Sequence, residues 1–100
     1  MGLKRFNTQT IVQDYSASAG WTSDAVDVSK VESIGVYVKV DGATDINLLV
    51  ETVDGYVVYD TITFTGAGFE FWNIWSFPFG SIKFQTSNAV TLTIQVFYKA

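Results

Sequence analysis

The sequence has no histidine and no cysteine, a single proline, and few charges. Each scarcity removes a class of function. Without histidine there is no imidazole base and no Ser-His-Asp constellation. Without cysteine there is no disulfide framework, no thiolate zinc site and no sulfur nucleophile, and the redox compartment is not written in the chain. Carboxylates are the acid-base groups that remain. Asp24, Asp27, Asp41, Asp45, Asp54 and Asp60 fall mostly in expected turns, where an aspartate caps backbone N–H groups. Glycoside hydrolysis needs two carboxyls facing each other across a cleft, and a sandwich of 100 residues leaves little room for one. The chain is expected not to be an enzyme.

Charged residues make up 16% of the chain, against about 25% in typical soluble proteins. So few charges cover a lone monomer poorly, which points to a surface partly buried in an assembly. The net charge is −4, and Lys4, Arg5, Lys30, Lys39, Lys83 and Lys99 are scattered, so no binding of nucleic acid through a basic patch is expected. No apolar run is long enough for a signal peptide or a membrane span, and the product is expected to be made in the cytoplasm without insertion in a membrane.

What is abundant is short alternation broken by Gly, Asp and Asn. One domain over residues 1–100 is expected, with 1–5 as a flexible arm. Residues 6–15 read as a polar edge strand, and 23–29 as a loop with a short strand. Ser29 and Glu32 have capping-box spacing, but the β-branched alternation that follows excludes a helix beyond one turn. Residues 33–40 place Ile34, Val36, Val38 and Val40 inward and Tyr37 and Lys39 outward. After a turn at 41–44, residues 46–52 place Ile46, Leu48 and Val50 inward and Leu49 outward, which predicts a β-hairpin. Asp54-Gly55 supplies the next turn. The strand 56–64 then changes phase, predicting a bulge near Tyr59-Asp60. Residues 81–86 carry Ile82 and Phe84 inward, and 90–98 carry Val90, Leu92, Ile94, Val96 and Tyr98 inward with Phe97 outward. The fold class is all-β: a two-sheet antiparallel sandwich, jelly-roll-like, of about eight strands and no substantial helix.

The stretch 69–79 stands apart. Phe69, Phe71, Trp75, Phe77 and Phe79 share one side of a strand, interrupted by Asn73, while Glu70, Trp72, Ile74 and Ser76 share the other. The aromatic wall is assigned to the core, Phe71 and Trp75 with it, and Trp72 in opposite phase is expected to be exposed. Glu70 is expected to pair with Lys83 on a neighbouring strand, and the bond before Pro78 is a candidate cis peptide. Two partner chemistries fit the outward rings. Trp72, Tyr37, Leu49 and Phe97 suit anchors buried against another protein chain. Trp21, Trp72, Trp75, Tyr37, Tyr56 and Tyr59, with Asn73 or Asp60 beside them, suit a platform for sugar rings. Asp41 and Asp45 are the one candidate pair for a hard cation such as Ca²⁺, without the full spacing of a calcium loop.

The runs Ser23-Asp24-Ala25-Val26-Asp27-Val28-Ser29, Ile34-Gly35-Val36-Tyr37-Val38-Lys39-Val40 and Ile46-Asn47-Leu48-Leu49-Val50-Glu51 cover about half the chain. Together they resemble the openings of small jelly-roll-like β-sandwich structural proteins of phages and archaeal viruses, a pattern also found in carbohydrate-binding jelly rolls. The resemblance implies a virion location, a role as capsid decoration, cement, spike or minor coat subunit, and partners that are further copies of itself and other coat proteins. It carries over no functional residue. In that setting the polar arm through Thr10 is expected to order on docking. A carbohydrate-binding module is the alternative, and a filament subunit that polymerises by strand addition the third reading.

Overall fold

The cleanest alternation in the sequence, Ile34 to Val40, forms the middle of one wall in a computed structural model that describes residues 7–75 and 80–99. The chain runs β1 (Asn7–Ala17), β2 (Val26–Asp27), β3 (Ser33–Val40), β4 (Thr44–Thr52), β5 (Gly55–Phe64), β6 (Gly68–Trp75), β7 (Ser81–Thr86) and β8 (Val90–Lys99). One four-stranded sheet has the order β1-β8-β3-β6 and the other β2-β7-β4-β5, and every pairing is antiparallel. The pairs β4·β5, β3·β6, β2·β7 and β1·β8 are successive rungs of one long hairpin, dealt alternately to the two sheets. That is a jelly roll.

The inner faces meet in a core of Val36, Val38, Ile94 and Val96 from the first sheet against Ile46, Leu48, Ile82 and Phe84 from the second, all fully buried. Inward and outward positions of β3, β4, β7 and β8 follow the sequence alternation, because one apolar row per strand is all that a two-layer domain can bury. The Asp54-Gly55 turn forms as expected, with Gly55 at φ 93°, where a Cβ would be strained. The bulge forms too: the partner of β4 jumps from Asp60 at Leu48 to Val58 at Leu49, leaving Tyr59 as the extra residue. No helix follows Ser29; Val31 N–H bonds Val28 O and closes a turn. Among the described residues no helix is long and apolar enough to cross a membrane.

Two local expectations are corrected. β3 and β4 do not form a hairpin: β3 pairs with β6 and β8, β4 with β5 and β7, and residues 41–43 carry the chain from one sheet to the other. Two strongly apolar rows bury more surface facing each other than side by side. The crossing is held against the β7-to-β8 crossing, where Thr44 Oγ1 meets Thr86 Oγ1 at 2.7 Å and accepts the Asn88 N–H at 3.0 Å. The candidate cation pair is drawn into the same joint. Asp41 Oδ1 accepts the Thr91 N–H at 2.9 Å, Asp45 N–H bonds Ser87 Oγ, and no group of three or more metal-ligating side chains comes together among the described residues. The polar stretch through Thr10 is strand, since Asn7 to Thr10 pair with Tyr98 to Gln95. Residues 1–6, Pro78 and its preceding bond lie outside the described residues.

Asp27 behaves as a turn aspartate should. Its Oδ1 accepts the Ser29 N–H at 2.9 Å and the Ser29 hydroxyl at 2.7 Å. The backbone bond first, the hydroxyl second and the Lys30 charge last hold its carboxyl below the usual value, against a small desolvation. A carboxyl more acidic in the folded than in the unfolded chain stabilises the fold above the unfolded pKa, and that contribution is lost as the pH falls through the folded value. Asp27→Asn is therefore expected to lower stability at neutral pH, with the gap to the parent closing in acid. Urea midpoints measured from neutral pH down to below about pH 4 check this.

Candidate functional site

Which side of β6 faces the core is decided by β3. The register pairs Val36 with Trp72, Tyr37 with Phe71 and Lys39 with Phe69, and directly paired residues share a face. Val36 is core, so Trp72 is core and Phe71 and Phe69 face out. This reverses the sequence expectation for all three. Trp72 is 6% exposed; its ring packs on Phe84, and its indole N–H donates to Asp60 Oδ2 at 2.8 Å across the edge of the sandwich. A buried indole needs an acceptor, and Asp60 on β5 supplies it. Phe69 is 60% exposed and Phe71 56%. Trp75's side chain, Phe77 and Phe79, the rest of the expected wall, lie outside the described residues.

The outer face of the first sheet can be written row by row. Across β6, β3 and β8, one row is Phe71, Tyr37 and Gln95; the next toward one end is Phe69, Lys39 and Thr93; the next toward the other end is Asn73, Gly35 and Phe97. Tyr37 lies 5.2 Å from Phe71 and 6.0 Å from Phe69 between ring centroids, and the two phenylalanines are 6.1 Å apart. Phe97, half-buried, pairs with Gly35, where an added Cβ would meet Asn73 Oδ1 at 3.5 Å. The polar limit of the patch is Lys39, which reaches Asp14 Oδ1 at 3.6 Å. β6 ends its sheet, and its pairing with β3 runs through eight residues without a register shift, so its outer edge is a regular row of backbone groups.

The outer face of the second sheet is of another kind. Thr61 Oγ1 donates to Asn47 Oδ1, Asn47 Nδ2 to Gln85 Oε1, and Gln85 Nε2 to Thr22 Oγ1, a polar ladder that satisfies itself. Leu49 lies on this face, between Val58 and Lys83 in the register, but is only 8% exposed and offers no anchor. Lys83 sits 4.5 Å over the Tyr56 ring, so the expected pair with Glu70 does not form; Glu70 belongs to the other sheet. Tyr56 OH bonds Ser81 Oγ. Tyr59, raised by the bulge, is exposed at the edge of this sheet.

Of the sequence-derived candidates, then, the fold brings Tyr37 and Phe97 to one surface, turns Trp72 and Leu49 away from solvent, and leaves Tyr56 and Tyr59 on β5 and Trp21 in the loop before β2. Sequence reasoning missed Phe69 and Phe71 as surface residues. The signal was there in outline: Asn73 interrupts their row, and the opposite row of Trp72 and Ile74 matches the apolar phase of β3.

No family model matches the chain, and no curated protein matches it. Solved structures do. The crystal structure of the SPBc2 prophage-derived protein YomS superposes with a TM-score of 0.71 at 10% identity, covering 100% of this chain and 97% of that one. A subunit of Bacillus endospore appendages, described as a novel family of disulfide-linked pili, gives 0.58 at 18% identity over 98% and 91%. A mutant of a family 29 carbohydrate-binding module gives 0.53 at 15% identity over 94% and 91%. A prophage protein, a pilus subunit and a carbohydrate-binding module thus share this chain's β-sandwich fold.

Proposed function

We propose that the chain is a non-enzymatic structural subunit of a virion, of the decoration, cement, spike or minor coat type, that assembles with further copies of itself. The observation that carries the reading is the exposure of Phe69 and Phe71 beside Tyr37 on a regular edge strand. Burying a phenylalanine side chain is worth about 1.5–3 kcal/mol, and leaving two of them in water on one strand forgoes that gain. An antiparallel β6–β6 contact about a two-fold axis would pair the backbone edge that no described strand covers, and cover both rings from each copy. The low charge content and the fold shared with a prophage-derived protein support the viral setting.

A sugar platform on this face is the poorer fit. Stacking successive pyranose rings along a surface calls for aromatic planes that are nearly coplanar. Tyr37 is tilted 43° from Phe69 and 45° from Phe71, and the two phenylalanines stand edge-on at 85°. Such a cluster interdigitates with other side chains, as a protein contact does. Molar mass by light scattering behind a sizing column, over a dilution series at low and high salt, tests the reading. A closed oligomer that persists on dilution and is indifferent to salt is expected. A monomer at every concentration, or a polymer that lengthens with concentration, would count against it.

A further inference from the structure

The opposite edge of the sandwich holds a cleft that the assembly reading does not use. β2 is two residues long, so the second sheet stops short of covering the inner face of β1. Gln9, Val12 and Tyr15 pair with the core residues Val96, Ile94 and Leu92 and therefore face that uncovered space. Residues 21–26 form the far wall, and the cleft between has a volume of about 320 Å³. That is at the lower end of the roughly 300–1,000 Å³ of small-ligand clefts. Tyr15, 43% exposed, and Trp21 make an aromatic corner there, ring centroids 5.3 Å apart and planes at 45°.

The polar lining divides in two. Ser23 Oγ accepts the Phe84 N–H and donates to Asp24 O, and Thr22 Oγ1 is engaged with Gly20 O and Gln85, so both are spent on the fold. The side chains of Gln9 and Asp24 take part in no hydrogen bond among the described residues. A carboxylate and a primary amide near a Tyr-Trp corner are groups that receive the hydroxyls and the C–H face of a pyranose. Among the described residues no lysine or arginine lines the cleft, and Asp24 would repel an anion. An added peptide strand is a poor occupant, because β1 has two register shifts and Asp14 sits at φ 47°, which breaks its free edge.

We infer that this cleft binds a neutral mono- or disaccharide, with one sugar face stacked on Trp21 alone, Tyr15 closing its edge, and its hydroxyls on Asp24 and Gln9. The site is separate from β6, so binding and assembly are independent. The test is a titration of ¹⁵N-labelled full chain with maltose, cellobiose and lactose, read on the Trp21 indole N–H and on backbone amides, with digalacturonate as the anionic counterpart. At least one neutral disaccharide is expected to give saturable shifts around Trp21 with a Kd on the order of 1 mM. Asp24→Ala and Gln9→Ala, both surface changes, should each weaken it by about tenfold, and Trp21→Ala should abolish it. Should Trp21→Ala fail to fold, the two surface variants decide. Absence of saturation by all three sugars at about 50 mM, equal binding of digalacturonate, no effect of the Asp24 and Gln9 changes, or shifts confined to Tyr37 and Phe71 would overturn the inference.

Discussion

Trp72→Ala is expected to destabilise the domain by about 3–5 kcal/mol, the range for removing a large aromatic from a closed core. The ring lies on the core side of β6, level with Val36 of β3 and against Phe84 at a centroid distance of 6.4 Å. A loss of this size is a large fraction of the stability of a small domain. Trp72→Phe separates the two parts of the effect. It keeps most of the packing but removes the indole donor to Asp60, and because Asp60 is exposed its carboxylate rehydrates, so the cost should be nearer about 1 kcal/mol. Urea unfolding with unchanged slope measures both. A loss below about 1 kcal/mol for Trp72→Ala would mean that the ring is not the core residue described.

Phe69→Ser with Phe71→Ser should do the reverse, leaving the fold nearly as stable but weakening self-association by about a hundredfold or more. Both rings are more than half in water in the single chain, so the folded monomer loses little when they are shortened. The assembly loses its anchors. Val58→Ser is the matched control: Val58 is 55% exposed and apolar, but it lies on β5, in the other sheet. Sedimentation equilibrium on the three proteins gives the answer. Unchanged association in the double variant, or an equal loss in the Val58 variant, would remove β6 from the interface.

The two results belong together, because Trp72 and Phe71 are neighbours whose fates the alternation leaves undetermined. Either side of β6 has enough apolar surface for a core: Phe69, Phe71 and Trp75 on one, Trp72 and Ile74 on the other. In β3 the choice is plain, since Gly35, Tyr37 and Lys39 make a poor core beside Ile34, Val36, Val38 and Val40. Pairing transmits that choice to β6, and pairing between residues 28 to 42 positions apart is a long-range fact. Phe69 and Phe71 sit in water because the strand they belong to is slaved to a neighbour with a stronger preference. The same limit explains the mistaken hairpin. A turn at 41–44 between two alternating strands reads alike whether the strands become neighbours in one sheet or partners across a core.

Local chemistry was legible throughout. The turn at Asp54-Gly55, the bulge at Tyr59, the polar edge character of β1 and the inward rows of β3, β4, β7 and β8 each depend on residues within a few positions of one another, where sterics and period-two burial act directly. Composition alone determined that neither histidine nor thiolate chemistry is available, and the alternation broken by Gly, Asp and Asn turns determined that the chain is a β-sandwich. The tertiary structure decided which face of β6 meets water, that Asp60 serves Trp72 instead of a turn, that the Asp41 carboxylate is engaged by the Thr91 N–H in a crossing between sheets, and that a two-residue β2 leaves a cleft beside Trp21. All four follow from strand order and register, which are set by the burial of the whole chain at once.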